Sequence, residues 1–223
     1  MVLKRVHDIK KYYLCYPPTI VTNGKIYKSH LPRFFMASKI GKIRKLQDDF
    51  IYIPTTKLHF TREETLQEKN WLETHGLLQQ KGSAMPTMLE FVRTLKYLKK
   101  KNVELYNEIT GVGPWRATWI YANFKRGEDG LYVLTGNKSK SERLDPDTLM
   151  EDKRISLESW IAKPTSQGLP RKDTAKGDLS FRCPRECSVA MFGASNGKGN
   201  YLYCDKDPSD HAPYLGVHAV RHG

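Results

Sequence analysis

The segment 105–124 constrains the fold more than any other part of the chain. It reads LYNEITGVGPWRATWIYANF, and two short apolar patterns with helical spacing meet in it at Gly111 and Gly113. Pro114 stands where the second helix would begin, and a proline is tolerated at that position because its missing N–H would have no partner there. The pattern predicts a helical hairpin over residues 103–124.

Such a hairpin would present backbone N–H groups at the N-terminus of its second helix, which is a favourable place for a phosphate. The candidate phosphate contacts are therefore Gly111, Val112 and Gly113, with Arg116 close enough to add a charged contact. An ordinary turn between two helices, capped by glycine, is the alternative interpretation of the same residues.

The run I-T-G-V-G-P, with Ala117 after it, resembles the helix-hairpin-helix motif, which in its families holds the DNA backbone without reading bases. Trp115 makes the segment most similar to the variant in helix-hairpin-helix DNA glycosylases. The resemblance covers residues 105–124 and no more of the chain. Those enzymes carry an Asp further along, and Asn137 stands near that place. The resemblance therefore implies binding of the backbone and not excision of a base.

The positive charge is concentrated in the first half of the chain. The formal net charge is +13; residues 1–101 contain 20 Lys and Arg against 8 Asp and Glu, whereas residues 102–223 contain 17 against 16. Such a density of cations attracts a polyanion, because each neutralised phosphate releases condensed counterions. A well-solvated surface with no polyanionic partner is the alternative. The candidate contacts in the basic segments and beside the hairpin are Lys42, Arg44, Lys45, Lys99, Lys100, Lys101, Lys125 and Arg126.

Local signals predict both strands and helices. Asn23-Gly24 lies between two β-prone runs and predicts a hairpin, and residues 50–53 predict a strand. Thr61 with Glu64, and Thr87 with Glu90, have the spacing of a capping box. They predict one helix over 61–74 and a second that begins at Thr87 and ends near Lys101, with apolar residues every three or four positions.

Three cysteines and three histidines are clustered near the C-terminus. Cys183, Cys187, Cys204 and His211 follow the pattern C-x3-C-x16-C-x6-H, and four sulfur or nitrogen ligands are what a structural Zn²⁺ requires. His218 and His222 are alternatives for the fourth ligand. Buried or redox-active thiols are the alternative interpretation of the cysteines.

These observations predict an α+β protein in three parts. Residues 1–135 would form a basic domain that contains the helical hairpin, residues 136–180 a polar and loop-rich connection, and residues 181–223 a small zinc-ribbon-like β unit. No run approaches the roughly 18 apolar residues of a membrane span, and the N-terminus lacks the apolar core of a secretory signal. We therefore expect an intracellular protein of the cytoplasm, nucleoid or nucleus, with no membrane partner.

The expected function is sequence-tolerant binding of the DNA or RNA backbone, as a subunit of a larger nucleoprotein complex with other protein subunits. A DNA-acting enzyme, either glycosylase-like or a nuclease, is an alternative. A protein-binding adaptor whose charge is incidental is another. Binding is expected ahead of catalysis because no P-loop, nucleophile elbow or H-E-x-x-H motif is present.

Overall fold

The structure is a computed structural model that describes residues 21–22, 25–26, 49–111, 116–135, 140–195 and 199–223. The chain divides into two units, residues 1–45 and residues 46–223. In the first unit, strands β1 (Val21–Thr22) and β2 (Lys25–Ile26) are antiparallel. Val21 pairs with Ile26 and Thr22 with Lys25, which confirms the predicted hairpin.

An eight-stranded sheet organises the second unit. Seven strands, numbered in chain order, lie side by side in the order β7 (Lys140–Arg143), β6 (Gly130–Thr135), β5 (Arg116–Gly127), β10 (Ser188–Ser195), β11 (Gly199–Lys206), β9 (Leu179–Arg182) and β8 (Lys153–Ile155). The eighth strand, β12 (Leu215–Gly216), also pairs with β5. Neighbouring strands are antiparallel, except that β9 is parallel to β11 and β12 is parallel to β5.

A second sheet has three antiparallel strands. Its order is β13 (Val220–His222), β4 (Leu58–Thr61) and β3 (Phe50–Ile53). The strand predicted over residues 50–53 is confirmed as β3. Because β13 is the last strand of the chain and β4 one of the first of this unit, this sheet joins the two ends of residues 46–223.

Within the described residues, four helices accompany the sheets: α1 (Trp71–Gln80), α2 (Met88–Lys101), α3 (Val103–Thr110) and α4 (Leu157–Ala162). The helix predicted from Thr87 is confirmed as α2. Thr87 and Glu90 form the capping box: the Thr87 hydroxyl accepts the N–H of Glu90 at 3.3 Å, and the Glu90 carboxylate accepts the N–H of Thr87 at 2.8 Å.

The helix predicted over 61–74 is wrong. Residues up to Thr61 belong to β4, and the Thr61 hydroxyl accepts the N–H of Ala219 at 2.9 Å instead of capping a helix. Helix α1 begins after Asn70, which forms its own capping box with Glu73. Asn70 and Glu73 have the spacing that Thr61 and Glu64 also have, so tertiary pairing with the C-terminal strand selected one of two equivalent local signals.

The second helix of the predicted hairpin is also wrong. Residues 103–110 are helical as α3, but Arg116–Gly127 form the twelve-residue strand β5. Both faces of β5 are buried: Ile120 and Phe124 belong to a core with α2, α3 and α4, whereas Trp119 belongs to a core with α1. A strand buried on both faces reads as a continuous apolar run, which periodicity alone does not separate from a helix.

The described part of the polar segment 136–180, residues 140–180, contributes side chains to the core instead of forming only a connection. Trp160 and Ile155 are fully buried, and Leu169 nearly so. The Trp160 indole N–H donates to the Gly168 carbonyl oxygen at 2.8 Å, which ties the loop after α4 back onto the helix. Few residues of this segment are apolar, so the sequence pattern did not predict that those few would be buried in the core.

The predicted boundaries at 135 and 181 do not match the units of the structure, which divide after residue 45. β10 and β11 lie in the eight-stranded sheet beside β5, and β13 pairs with β4. Residues 181–223 are therefore integrated with the rest of the second unit. The α+β class is confirmed, whereas a separate zinc-ribbon-like unit is not shown.

Candidate functional sites

The predicted phosphate cradle would need a helix N-terminus after the glycine pair. Gly111 caps the C-terminus of α3, and a Cβ at this position would lie 2.0 Å from the Asn107 carbonyl oxygen, so a close backbone approach requires glycine here. Val112 and Gly113 lie outside the described residues. The chain next described begins β5 at Arg116, so residues 116–127 supply no helix N-terminus to bind an anion.

Several predicted cation contacts are already engaged within the protein. Lys99 forms an ion pair with Glu158, and Arg126 donates to Glu186 at 3.2 Å. Lys125 is half-buried and has a partner. Lys42, Arg44 and Lys45 lie outside the described residues.

Two of the predicted contacts, Lys100 and Lys101, share one face of α2 with two further cations, Arg93 and Lys96. Arg93, Lys96, Lys100 and Lys101 are exposed, whereas the opposite face of the helix is buried. Arg93, Lys96 and Lys100 follow the spacing i, i+3 and i+7, which places them on one side of a helix. In the part of the chain that the structure describes, none of these four has a carboxylate partner. We call these four residues the basic face.

Two grooves adjoin the basic face and share Arg93 and Lys96. One, of about 370 Å³, is lined by Arg93, Lys96, Tyr97, Lys100, Lys101 and Thr55. The other, of about 270 Å³, runs along α2 to the loop after α4, which contributes Pro164, Thr165 and Ser166. The Lys96 ammonium donates to the Ala162 carbonyl oxygen at 3.3 Å, which holds it at the boundary of the two grooves.

Arg93 and Lys96 are not among the contacts predicted from the sequence, because that prediction used the consecutive lysines at 99–101. The helical period was the available signal. The apolar stripe of α2 was predicted correctly, and the cations opposite that stripe, rather than those adjacent in sequence, share a surface.

The predicted zinc ligands take up different surroundings. Cys204 is fully buried in β11, Cys183 is half-buried just after β9, and Cys187 is exposed. Burial raises the pKa of the Cys183 thiol to about 11 and also raises the pKa of Cys204 well above its ordinary value.

The three histidines are held separately by different partners. His211 lies within hydrogen-bond distance of the Asn70 amide, at 3.1 Å, and His222 lies 3.7 Å from Glu90. His218 is buried beside Glu64. Over the described ranges, no group of three or more His, Cys, Asp and Glu side chains could hold a metal ion. Zinc binding by Cys183, Cys187, Cys204 and a histidine therefore stays a prediction.

A different cluster, which the sequence did not indicate, surrounds His218. Its Nε2 lies 3.9 Å from Glu64 Oε1, and both side chains are only 7% exposed. His218 Nδ1 lies 3.1 Å from the Thr61 carbonyl oxygen. Since a carbonyl only accepts, Nδ1 carries the proton and Nε2 is left as an acceptor. The ring is held by stacking on Phe60, with centroids 5.0 Å apart.

Glu64 and His218 line a small cavity. Its inner volume is about 20 Å³, and the exposed side chains of Arg62, Glu108 and Arg116 border it on the solvent side. Glu64 Oε2 is buried with no hydrogen-bond partner among the described residues. A cavity of this size has room for about one water-sized group. We call it the Glu64 cavity.

Burial shifts both titrations towards the neutral forms. It raises the pKa of Glu64 to about 7, against the lowering effect of the Arg116 charge. It lowers the pKa of His218 to about 4, and the Arg116 charge acts in the same direction. At neutral pH the cavity therefore presents a carboxyl that is protonated in a large fraction of molecules, beside an uncharged imidazole.

No family model, no curated protein and no solved structure matches this chain. Among the described residues, no helix is long and apolar enough to cross a membrane. The basic face and the Glu64 cavity are the two candidate functional sites of the described residues.

Proposed function

We propose that the protein binds nucleic acid through the sugar–phosphate backbone, without strong sequence preference, and that the basic face is the binding surface. The observation that carries the proposal is a row of exposed cations on α2 without carboxylate partners among the described residues. A surface of this kind gains free energy by releasing counterions from phosphates. It offers no fixed array of groups that would read base edges.

The dimensions of the basic face suit a run of phosphates. Arg93 and Lys101 are eight residues apart on α2, which corresponds to about 12 Å along the helix axis. In a duplex, the phosphates of one strand follow one another at about 3.4 Å along the helix axis. Three to four phosphates of one duplex strand could therefore lie along the row.

Tyr97 gives the larger groove an aromatic contact. It is half-buried among the cations of that groove. A partly exposed aromatic ring beside cations supports stacking on a base or a sugar, which tolerates any sequence. This supports an unpaired strand ahead of a duplex, whose bases are not available for stacking.

The test is binding of fluorescent single-stranded DNA, duplex DNA and structured RNA of equal length, each titrated at several salt concentrations. The variant Arg93→Gln/Lys96→Gln/Lys100→Gln removes three cations from the basic face. If each contacts a phosphate, the slope of log K against log salt becomes shallower by about 2 on a single strand and about 3 on a duplex. The preferred nucleic acid distinguishes DNA from RNA.

The control variant is Lys99→Gln/Arg126→Gln/Lys163→Gln, which removes the same charge from residues engaged in ion pairs. We expect it to leave the salt slope almost unchanged. Equal effects of the two variants would show that only the total charge matters. Absence of salt-dependent binding in the wild-type protein would refute the proposal and favour a docking surface for an acidic protein.

A further inference from the structure

We propose that the Glu64 cavity is a binding site for a phosphate monoester or free phosphate in its singly protonated form. One oxygen of the anion would enter between Glu64 and His218, and the remaining oxygens would lie at the mouth beside Arg116. The cavity shares no lining residue with the two grooves of the basic face. Phosphate binding in the Glu64 cavity and nucleic-acid binding by the basic face can therefore be tested separately.

The hydrogen-bonding groups of the cavity define what it can accept. Glu64 Oε2 is buried without a partner, and an orphaned buried polar atom is costly unless something occupies the site. When the carboxyl is protonated it donates a hydrogen bond, whereas His218 Nε2 only accepts. A complementary group must therefore carry both a lone pair and an O–H.

Charge at the mouth favours an anion. Arg62 and Arg116 contribute two positive charges and Glu108 contributes one negative charge. A guanidinium recognises the oxygens of a phosphoryl group more specifically than a point charge does. A cation would be repelled by Arg116, whose charge also acts on both Glu64 and His218.

These requirements separate anions of similar shape. A singly protonated phosphate monoester has an O–H for His218 and oxygens for Glu64 and Arg116. Sulfate has no proton at neutral pH, so it leaves His218 Nε2 without a donor and places two acceptors against each other. A phosphodiester also lacks the O–H, which distinguishes this site from any surface that binds the nucleic-acid backbone.

The size of the site is consistent with entry of one oxygen. The inner cavity holds about one water-sized group, and the rest of the anion stays at the mouth. Gly216 is part of this geometry, because a Cβ there would lie 3.4 Å from Glu64 Oε2 and 3.3 Å from its Cβ. A side chain at that position would press on the Glu64 carboxyl.

The experiment is isothermal titration calorimetry of the full chain at pH 5.5, below the second pKa of about 6 of a phosphate monoester, with inorganic phosphate, sulfate, a nucleoside 5′-monophosphate and the corresponding cyclic 3′,5′-diester. We expect phosphate to bind and sulfate and the diester not to bind. Tighter binding of the monophosphate than of inorganic phosphate would identify a monoester as the ligand, and the reverse would identify free phosphate. Equal binding of phosphate and sulfate, or no binding of either phosphate or the monoester, would overturn the proposal.

Two variants test the assigned groups. Arg116→Gln removes a charged contact at the exposed mouth and should weaken phosphate binding at least about tenfold. Arg62→Gln makes the same substitution at the other arginine of the mouth and serves as the matched variant. Glu64→Gln keeps an N–H donor at every pH, and inorganic phosphate still carries one O–H at pH 8.5. Binding of inorganic phosphate to this variant should therefore persist at pH 8.5, where ionisation of Glu64 weakens binding to the wild-type protein. Phosphate binding that is unchanged in Arg116→Gln, or that has the same pH profile in Glu64→Gln as in wild type, would refute the site.

Discussion

Replacing Glu64 by Gln should make the protein more stable relative to wild type at pH 8 than at pH 4.5. Burial raises the pKa of Glu64 from its ordinary value of 4.5 to about 7. Below pH 4.5 the folded and unfolded states both hold the proton. As the pH rises from 4.5 to 7, the unfolded chain releases the proton while the folded protein keeps it, so the free energy of unfolding falls.

The magnitude follows from these two pKa values. One pKa unit corresponds to about 1.4 kcal/mol, so the ionisable carboxyl lowers the free energy of unfolding by about 3 kcal/mol between pH 4.5 and pH 8. A Gln side chain does not ionise, so it does not cause this decrease in the free energy of unfolding. Its own cost as a buried amide does not depend on pH, so it cancels when the effect of the substitution is compared between the two pH values.

His218 makes the comparison between proteins necessary. Burial lowers its pKa from 6.5 to about 4, so its contribution to stability is present above pH 6.5 and is lost as the pH falls to 4. The opposite slopes of Glu64 and His218 nearly cancel between about pH 4.5 and 6.5 in the wild-type protein. Glu64→Gln removes the contribution of Glu64, so the free energy of unfolding of the variant should increase as the pH rises from about 4.5 to 6.5.

The assay is urea unfolding of wild type and Glu64→Gln at pH 4.5 and pH 8, with Glu63→Gln as a control for removing an exposed carboxylate next to it. We expect the stability of Glu64→Gln relative to wild type to increase by about 3 kcal/mol from the lower to the higher pH. If this relative stability is the same at both pH values, within the error of the extrapolation, burial does not keep the Glu64 carboxyl protonated and the reasoning fails.

Three further substitutions test the fold by urea unfolding at neutral pH. Thr87→Ala removes the capping hydrogen bond to Glu90 and should lower the free energy of unfolding by about 1 kcal/mol, whereas Thr87→Ser should restore most of it; a neutral Ala variant would contradict the capping role. Trp160→Phe leaves the Gly168 carbonyl oxygen without its donor and should cost about 1–3 kcal/mol; no loss would argue that residues 136–180 lie outside the core. Gly168→Ala should cost at least about 2 kcal/mol, because φ is +90° and the new Cβ would lie 2.4 Å from the Leu89 backbone nitrogen; wild-type stability would contradict this packing.

Local chemistry made some elements predictable from the sequence. Helix α2 combines a capping box with an unbroken apolar stripe, and both signals lie within residues 87–101. The pairing of β1 with β2 is equally local, since only two residues of sequence separate the two strands. The α+β class followed from these signals.

Elements whose identity depends on distant residues were not predictable in the same way. The apolar run of β5 suits a helix or a buried strand, and pairing with β10 and β6 decided for the strand. Thr61 and Asn70 have the same capping pattern, and pairing of β4 with the C-terminal β13 left only Asn70 free to begin a helix. Local propensity is a small free-energy term, and tertiary burial outweighs it.

The two candidate sites show the same division. The sequence by itself determined that the chain is strongly cationic and that the charge is concentrated in its first half. Only the tertiary structure decided which cations are free to bind, because Glu158 engages Lys99 while Arg93 and Lys96 stay on an open groove. The cavity between Glu64 and His218 depends entirely on tertiary structure, because its two polar groups are 154 residues apart in sequence. Burial in the same cavity shifts the pKa of both groups towards the neutral forms, and no local sequence pattern encodes that burial.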